Sequence, residues 1–125
     1  MTAAKRAPLA LYHVRDAIMD FLKVVGDSTA DQLAADMTRR YAAERCVEII
    51  SEASRRIPAG WKHEFPDIPW KQIAGMGNIM RHNYEGVNLD IILGLRGRRL
   101  DELLAAISTL LEKYDPDGQP FFDRE

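Results

Sequence analysis

Four side chains capable of chemistry lie close together in the stretch from Pro66 to Tyr84, namely Asn78, Arg81, His82 and Tyr84. On a helix, Asn78 and His82 would project in the same direction, with Arg81 about 100° around the axis from His82. An imidazole exchanges protons near neutral pH, and a guanidinium pairs with phosphate oxygens. These groups suit RNA cleavage without a metal, in which a base takes the 2′-hydroxyl proton, an acid serves the leaving oxygen and a cation stabilises the phosphorane.

The same residues also fit a structural role at a helix end. Asparagine and histidine near a helix C-terminus can hydrogen-bond the last carbonyls, and cations are favoured at the negative end of the helix dipole. Residue types and spacing leave both interpretations open. The other histidines, His13 and His63, have no comparable neighbours. A histidine without partners is rarely a ligand or a base, so we expect structural or surface roles for both.

The cluster lies on a helix that should begin at Pro69, because proline suits the first helical position. The proline-rich connection before it should be irregular and packed down by Trp61 and Phe65. From Trp70 onward, the spacing predicts a buried stripe of Trp70, Ile73, Ala74, Gly77, Met80 and Tyr84. A second, mostly polar face contains Lys71, Gly75, Asn78, His82 and Glu85.

Apolar residues three and four apart predict two helices before this one. The first contains Leu11, Val14, Ile18, Phe21 and Val25. It should end at Gly26, after which a capping box at Ser28 and Asp31 predicts a long second helix. That helix should bend near Asp36 and Thr38, where helix propensity is weak. The spacing of four of its charged residues predicts a solvated face, formed by Arg45, Glu48, Glu52 and Arg55.

Beyond the cluster, a leucine-rich pattern predicts a final helix that Gly94 and Gly97 could kink. The sequence shows no strand-like alternation of useful length and no internal repeat. A chain of this length can bury a core as one domain. We therefore predict an all-α, antiparallel bundle of four to five helices, with one domain over residues 1–125 and a loose tail at 116–125.

The net charge of −2 argues against binding nucleic acid through bulk charge, so any such contact must be local. The best local candidate for contact with a nucleic-acid backbone is the basic cluster Arg96, Arg98 and Arg99. Exposed arginines at a helix end are also often merely solvated. Both interpretations of this cluster remain open.

The single cysteine, Cys46, excludes an internal disulfide and favours a reducing cytoplasm. The apolar runs are shorter than a membrane span, and the N-terminus lacks a signal-peptide core. We therefore expect a cytoplasmic protein with no membrane contact. The motifs indicate no metal site and no cofactor. The chain has more apolar helix faces than a small four-helix core needs, so we expect a symmetric homodimer.

Several segments resemble the HepT-like branch of the HEPN superfamily, over about Leu9 to Tyr114. They are IISEA (Ile49 to Ala53) and FPDIPWKQIAGMGNIMRHNYEGVNLDIIL. The family has an IGEA-like element, a P-x-IPW-x-x-I-x-GM lead-in and an RN-x-x-x-H-x-Y signature. The resemblance implies a helical endoribonuclease toxin, with two protomers' sites meeting in a cleft at the dimer interface. It also implies an antitoxin partner, a minimal nucleotidyltransferase (MNT).

Carried over to this chain, the signature matches at Asn78, His82 and Tyr84, and the IGEA-like acid matches Glu52. The resemblance implies that His82 is the general base or acid and that Tyr84 accepts AMP from the nucleotidyltransferase. The signature arginine is absent, because its position is occupied by Gly77. Arg81 is the nearest cation and could serve as a phosphate clamp or as a salt-bridge residue. The alternative function is a catalytically inactive helical subunit that binds the nucleotidyltransferase.

Overall fold

The computed structural model describes residues 3–82 and 88–118, and within these ranges every regular element is a helix. The helices are α1 (Ala3–Val25), α2 (Ala30–Ala35), α3 (Met37–Ser54), α4 (Ala59–Lys62), α5 (Trp70–His82), α6 (Asn88–Leu95) and α7 (Arg98–Tyr114). The predicted all-α class is confirmed. Among the described helices, none is long and apolar enough to cross a bilayer. The predicted tail falls mostly outside the described residues.

The core forms where α1, α3, α5 and α7 pack together. The predicted apolar face of α1 is fully buried, as are Ile50 on α3 and Ile107 on α7. The α1 and α3 helices run antiparallel, because the Arg39 guanidinium donates to the carbonyls of Val24 and Val25 at the end of α1. These bonds satisfy carbonyls that have no partner within α1.

The predicted long second helix is wrong, because the chain breaks at Asp36 instead of bending there. Asp36 ends α2 and begins α3, and its carboxylate accepts a hydrogen bond from the Arg39 amide at 3.1 Å. Short acidic side chains compete with the helical backbone in this way. The predicted capping residue is also wrong. Thr29 replaces Ser28, since Thr29 and Gln32 exchange side-chain and backbone hydrogen bonds in a capping box.

The predicted final helix is two helices, α6 and α7, which meet at Gly97. Its φ of +82° lies in the left-handed region that glycine adopts readily, so the glycine turns the chain rather than kinking one helix. The Arg96 guanidinium donates to the carbonyls of Gly26 and Ser28, at 3.0 and 2.9 Å. This turn is therefore held against the connection between α1 and α2.

The proline-rich connection fixes the start of α5. Trp61 and Phe65 pack on the core as predicted, and the Trp61 ring stacks on Tyr114 at 3.9 Å between centroids. The Trp70 indole donates to the carbonyls of Lys62 and Phe65 at 3.1 and 3.0 Å. As a result, the first residue of α5 is tied to the loop that precedes it.

A surface cluster joins this connection to the end of α7. The Glu64 carboxylate accepts hydrogen bonds from the Tyr114 hydroxyl and from the Lys113 ammonium. These bonds, the one from Tyr114 foremost, hold the pKa of Glu64 below its ordinary value of 4.5. A lowered carboxyl pKa means that the folded state favours the ionised form. The contribution to stability is therefore present above pH 4.5 and is lost as the pH falls through the lowered pKa.

We expect Glu64→Gln to lower the midpoint of thermal unfolding at pH 7, because the amide cannot replace the charge-assisted bonds. The difference from the wild type should shrink as the pH falls below 4.5. Circular dichroism melts between pH 3 and pH 7 measure this. Asp67→Asn, at an exposed acid of the same connection, is the control. A difference that stays constant down to pH 3 would contradict the assignment.

Candidate functional site

The last turns of α5 expose the predicted cluster. Asn78, Arg81 and His82 are all solvent-exposed, whereas Ile73, Gly77 and Met80 on the other side of the helix are buried. The two predicted faces are thus confirmed over the described part of α5. Tyr84 lies outside the described residues.

Opposite this helix, α3 runs antiparallel to α5, and one buried hydroxyl joins the two. Ser51 is 2% exposed, and its Oγ donates to the carbonyl of Ala74 at 2.8 Å. The same oxygen accepts from the backbone N–H of Gly77 at 3.0 Å. The Ser51 hydroxyl is therefore fully used between the helices. We call this contact region the α3–α5 seam; it consists of Glu48, Ser51, Arg55, Ala74, Gly77 and Arg81.

Gly77 is required by the close approach of the helices. A Cβ added there would lie 2.9 Å from Ser51 Oγ and 3.1 Å from Ser51 Cβ, distances that real side chains avoid. It would also lie 3.4 Å from Arg81 Nη1. Position 77 is where the resemblance expects an arginine. With Ser51 in place, this chain has no room for that side chain without local displacement.

Arg81 extends back along the helix and covers the position that Gly77 leaves open. Long side chains on a helix lean toward its N-terminus, which brings the guanidinium over the preceding turn. Its Nη1 lies 3.9 Å from Glu48 Oε2, and the Arg81 side chain is 48% exposed. An ion pair this long and this exposed contributes at most about 1 kcal/mol. Arg81 is thus a salt-bridge residue whose guanidinium is still open to solvent.

Arg55, directly after α3, is a second cation on the seam, and residue spacing predicts only a solvated charged face for it. Its Nε and Nη2 donate to the Ala74 carbonyl at 3.1 and 2.6 Å. Ser51 donates to the same oxygen, so one carbonyl accepts hydrogen bonds from two side chains. The sequence signal for this contact is a small polar residue, Ser51, within an otherwise apolar stripe.

The remaining candidates lie elsewhere. Glu52 is exposed and pairs with Arg56 at 3.4 Å. Arg96 supports the turn described above, and Arg98 pairs with Glu102 at 2.7 Å. Arg99 is exposed and borders a mainly apolar groove of about 790 Å³ between α5 and the α6–α7 pair. The structure does not bring these four residues into the exposed cluster on α5.

The remaining residues with possible chemistry are the cysteine and the side chains that could bind a metal. Cys46 is buried, and burial raises the pKa of its thiol, which disfavours the reactive thiolate. Within residues 3–82 and 88–118, no three His, Cys, Asp or Glu side chains stand close enough together to hold a metal ion.

Comparison with known proteins agrees with the helical fold and with the motifs on α3 and α5. Residues 14–110 match the family described as "Ribonuclease HepT-like". The chain belongs to this HepT-like family of the HEPN superfamily.

Curated relatives carry similar names. "Putative RNase MJ0127" of Methanocaldococcus jannaschii is 30% identical over 109 residues, covering 87% of this chain and 90% of that protein. "Putative RNase MJ1380" of the same organism is 35% identical over 78 residues, or 62% and 72% of the two chains. "Probable ribonuclease HepT" of Thermococcus cleftensis is 36% identical over 62 residues, or 50% and 56%. No solved structure gives a significant match.

The seam leads to a prediction about packing. Gly77→Ala should destabilise the fold by about 1–3 kcal/mol, because the new methyl group overpacks against Ser51. In the double variant with Ser51→Gly, the loss should be smaller than the sum of the two single losses, because the clash is gone. Urea denaturation measures the free energies of unfolding.

Gly75→Ala on the same helix is the matched control, since a Cβ at position 75 has nothing within 4 Å. Alanine favours a helix over glycine by about 1 kcal/mol, so this variant should be as stable as the wild type or more so. Strict additivity of the two changes at the seam would contradict the packing argument.

Proposed function

We propose that this protein is a metal-independent endoribonuclease, the toxin of a toxin–antitoxin pair with a nucleotidyltransferase. Membership of the HepT-like family and the ribonuclease names of its relatives support this function. The observation that carries it is the joint exposure of Asn78, Arg81 and His82 on a helix anchored to the core. We expect a protein with this substrate and partner in the cytoplasm.

Each side chain has a distinct role in this proposal. His82 takes the proton of the 2′-hydroxyl, whose oxygen attacks the adjacent phosphorus. The P–O5′ bond breaks, leaving a 2′,3′-cyclic phosphate, and the departing oxygen receives a proton from an acid. In a homodimer whose two clefts meet, His82 of the second copy can be that acid. Arg81 binds the charged phosphate, and Asn78 orients the backbone by hydrogen bonding.

Two exposed arginines at the start of α7 provide a second contact surface in this proposal. Arg98 and Arg99 are exposed and can contact the RNA backbone at a distance from the cleavage site. Arg96 already donates to two carbonyls, so its contribution would be smaller. Glu52, on α3, would act on the site only through its negative charge.

We expect the purified protein to cleave single-stranded RNA in the presence of EDTA. His82→Ala should reduce the rate at least about 100-fold, because general acid–base catalysis typically contributes 10²–10⁴-fold. His63→Ala, at an exposed histidine of the proline-rich connection, is the control and should cleave at the wild-type rate. Gel electrophoresis of a labelled oligonucleotide measures both rates. Equal cleavage by wild type and His82→Ala would refute the assignment.

The partner is a minimal nucleotidyltransferase that transfers AMP to Tyr84. An added AMP carries negative charge beside His82 in sequence, where it would repel the RNA phosphate and block access. With ATP and such an enzyme, the wild type should gain the mass of AMP and lose cleavage. Tyr84→Phe should do neither, and Tyr41→Phe, at an exposed tyrosine of α3, should behave as the wild type. Modification of Tyr84→Phe detected by mass spectrometry would reject this acceptor.

The second candidate function is a catalytically inactive subunit that binds the nucleotidyltransferase. The glycine at position 77, in place of the signature arginine, favours it. Co-purification with the partner while RNA stays intact would support this candidate. Restoring the arginine should then produce cleavage. The variant to test is the double substitution Ser51→Gly with Gly77→Arg, because Gly77→Arg alone would collide with the Ser51 hydroxyl.

A further inference from the structure

Two guanidinium groups stand on either side of Gly77 along the α3–α5 seam. Arg55 reaches the carbonyl of Ala74, one turn before Gly77, with its Nη2 at 2.6 Å. Arg81 places Nη1 3.4 Å from the point where a Cβ of residue 77 would begin. Ser51 Oγ lies between them, 2.8 Å from the Ala74 oxygen and 2.9 Å from that same point. The two cations thus flank the same contact of Ser51 with α5.

Arg55 is held in place yet keeps donors for a ligand. A guanidinium has five N–H donors in a fixed plane, and the Ala74 carbonyl takes one from Nε and one from Nη2. Arg55 is exposed, so the outer edge of the group faces solvent. A side chain fixed in this way loses little conformational freedom when it binds an anion.

The glycine between the two arginines is buried, so it brings the helices close together and does not itself contact a ligand. The Ser51 hydroxyl is occupied by Ala74 and Gly77, so it fills the seam without competing for a ligand. Near this point the only acid of the seam is Glu48, whose Oε2 is 3.9 Å from Arg81 Nη1. A phosphate can replace this long ion pair at little cost.

We infer that Arg55, directly after α3, and Arg81, on α5, together form a binding site for a backbone phosphate of single-stranded RNA. The site takes the place of the single arginine that the resemblance expects at position 77. Residue spacing predicts only a solvated face for Arg55. The inference rests on the proposed function in one respect, namely that the bound phosphate belongs to RNA.

Binding of a labelled oligonucleotide with 2′-O-methyl groups tests the site, because this RNA cannot be cleaved through its 2′ oxygen. Fluorescence anisotropy at several NaCl concentrations gives the affinity and its salt dependence. Arg55→Ala and Arg81→Ala should each weaken binding about tenfold, as expected for loss of a charge-assisted hydrogen bond. The double variant should reduce the slope of log affinity against log salt by about 0.7, the value for one phosphate contact on a single strand, and each single variant should reduce it by part of that amount.

Arg56→Ala and Lys71→Ala are the matched controls. Both residues are exposed cations outside the seam, Arg56 next to Arg55 in the turn after α3 and Lys71 on α5. Both should bind within about twofold of the wild type, as expected for exposed charges without a specific contact to the RNA. Arg55→Ala with the affinity and slope of Arg56→Ala would overturn the inference. Absence of oligonucleotide binding by the wild type would overturn it as well.

Arg55→Ala also removes the bonds to Ala74, so a second variant separates binding from packing. Arg55→Lys keeps the charge and should retain the wild-type salt slope, with an affinity between those of the wild type and Arg55→Ala. Equal losses of affinity in the two variants, with wild-type slopes in both, would assign Arg55 to packing and reject the inference. Circular dichroism melts confirm that each variant is folded.

Cleavage of unmodified RNA, measured in parallel, distinguishes this inference from the proposed function. Binding that depends on Arg55 and Arg81, without any cleavage, would uphold the site and reject the ribonuclease. Cleavage that depends on His82, with Arg55→Ala binding like Arg56→Ala, would uphold the ribonuclease and reject the site.

Discussion

The close packing of α3 against α5 is the constraint on which the rest of the site depends. It is set by one buried hydroxyl, that of Ser51, which bonds to both Ala74 and Gly77. The contact leaves no space for a Cβ at position 77, and Arg55 and Arg81 lie on either side of it. A backbone–hydroxyl contact that looks purely structural therefore bears on where positive charge stands along α5, the helix that carries His82.

The other end of α5 is fixed in a different way. There the Trp70 indole bonds to the loop, while Trp61 and Glu64 join that loop to Tyr114 at the end of α7. The helix is thus anchored at its first turn by aromatic packing and at its middle by Ser51. The last turns still face solvent, so Asn78, Arg81 and His82 have a rigid support without being buried.

Local periodicity sufficed to predict what a single helix does. The buried and exposed faces of α5 follow from spacing alone, because each is a property of one helix. The contact between Ser51 and Gly77 joins residues 26 positions apart and depends on how two helices pack, which local spacing does not encode. For the same reason, spacing predicts only a solvated face for Arg55. A break at Asp36 is hard to distinguish from a bend, because a capping side chain and a weak helix former have similar sequence signatures.

The long-range bonds of α7 have a consequence for synthesis. Tyr12 on α1 donates to Asp115, 103 residues later, and Lys113 and Tyr114 hold the connection that precedes α5. A chain emerging from the ribosome has α1, α3 and α5 available well before α7. The start of α5 therefore receives its last supports only after residues 113 and 114 have emerged, so the fully anchored form arises later than the packing of α1 against α3.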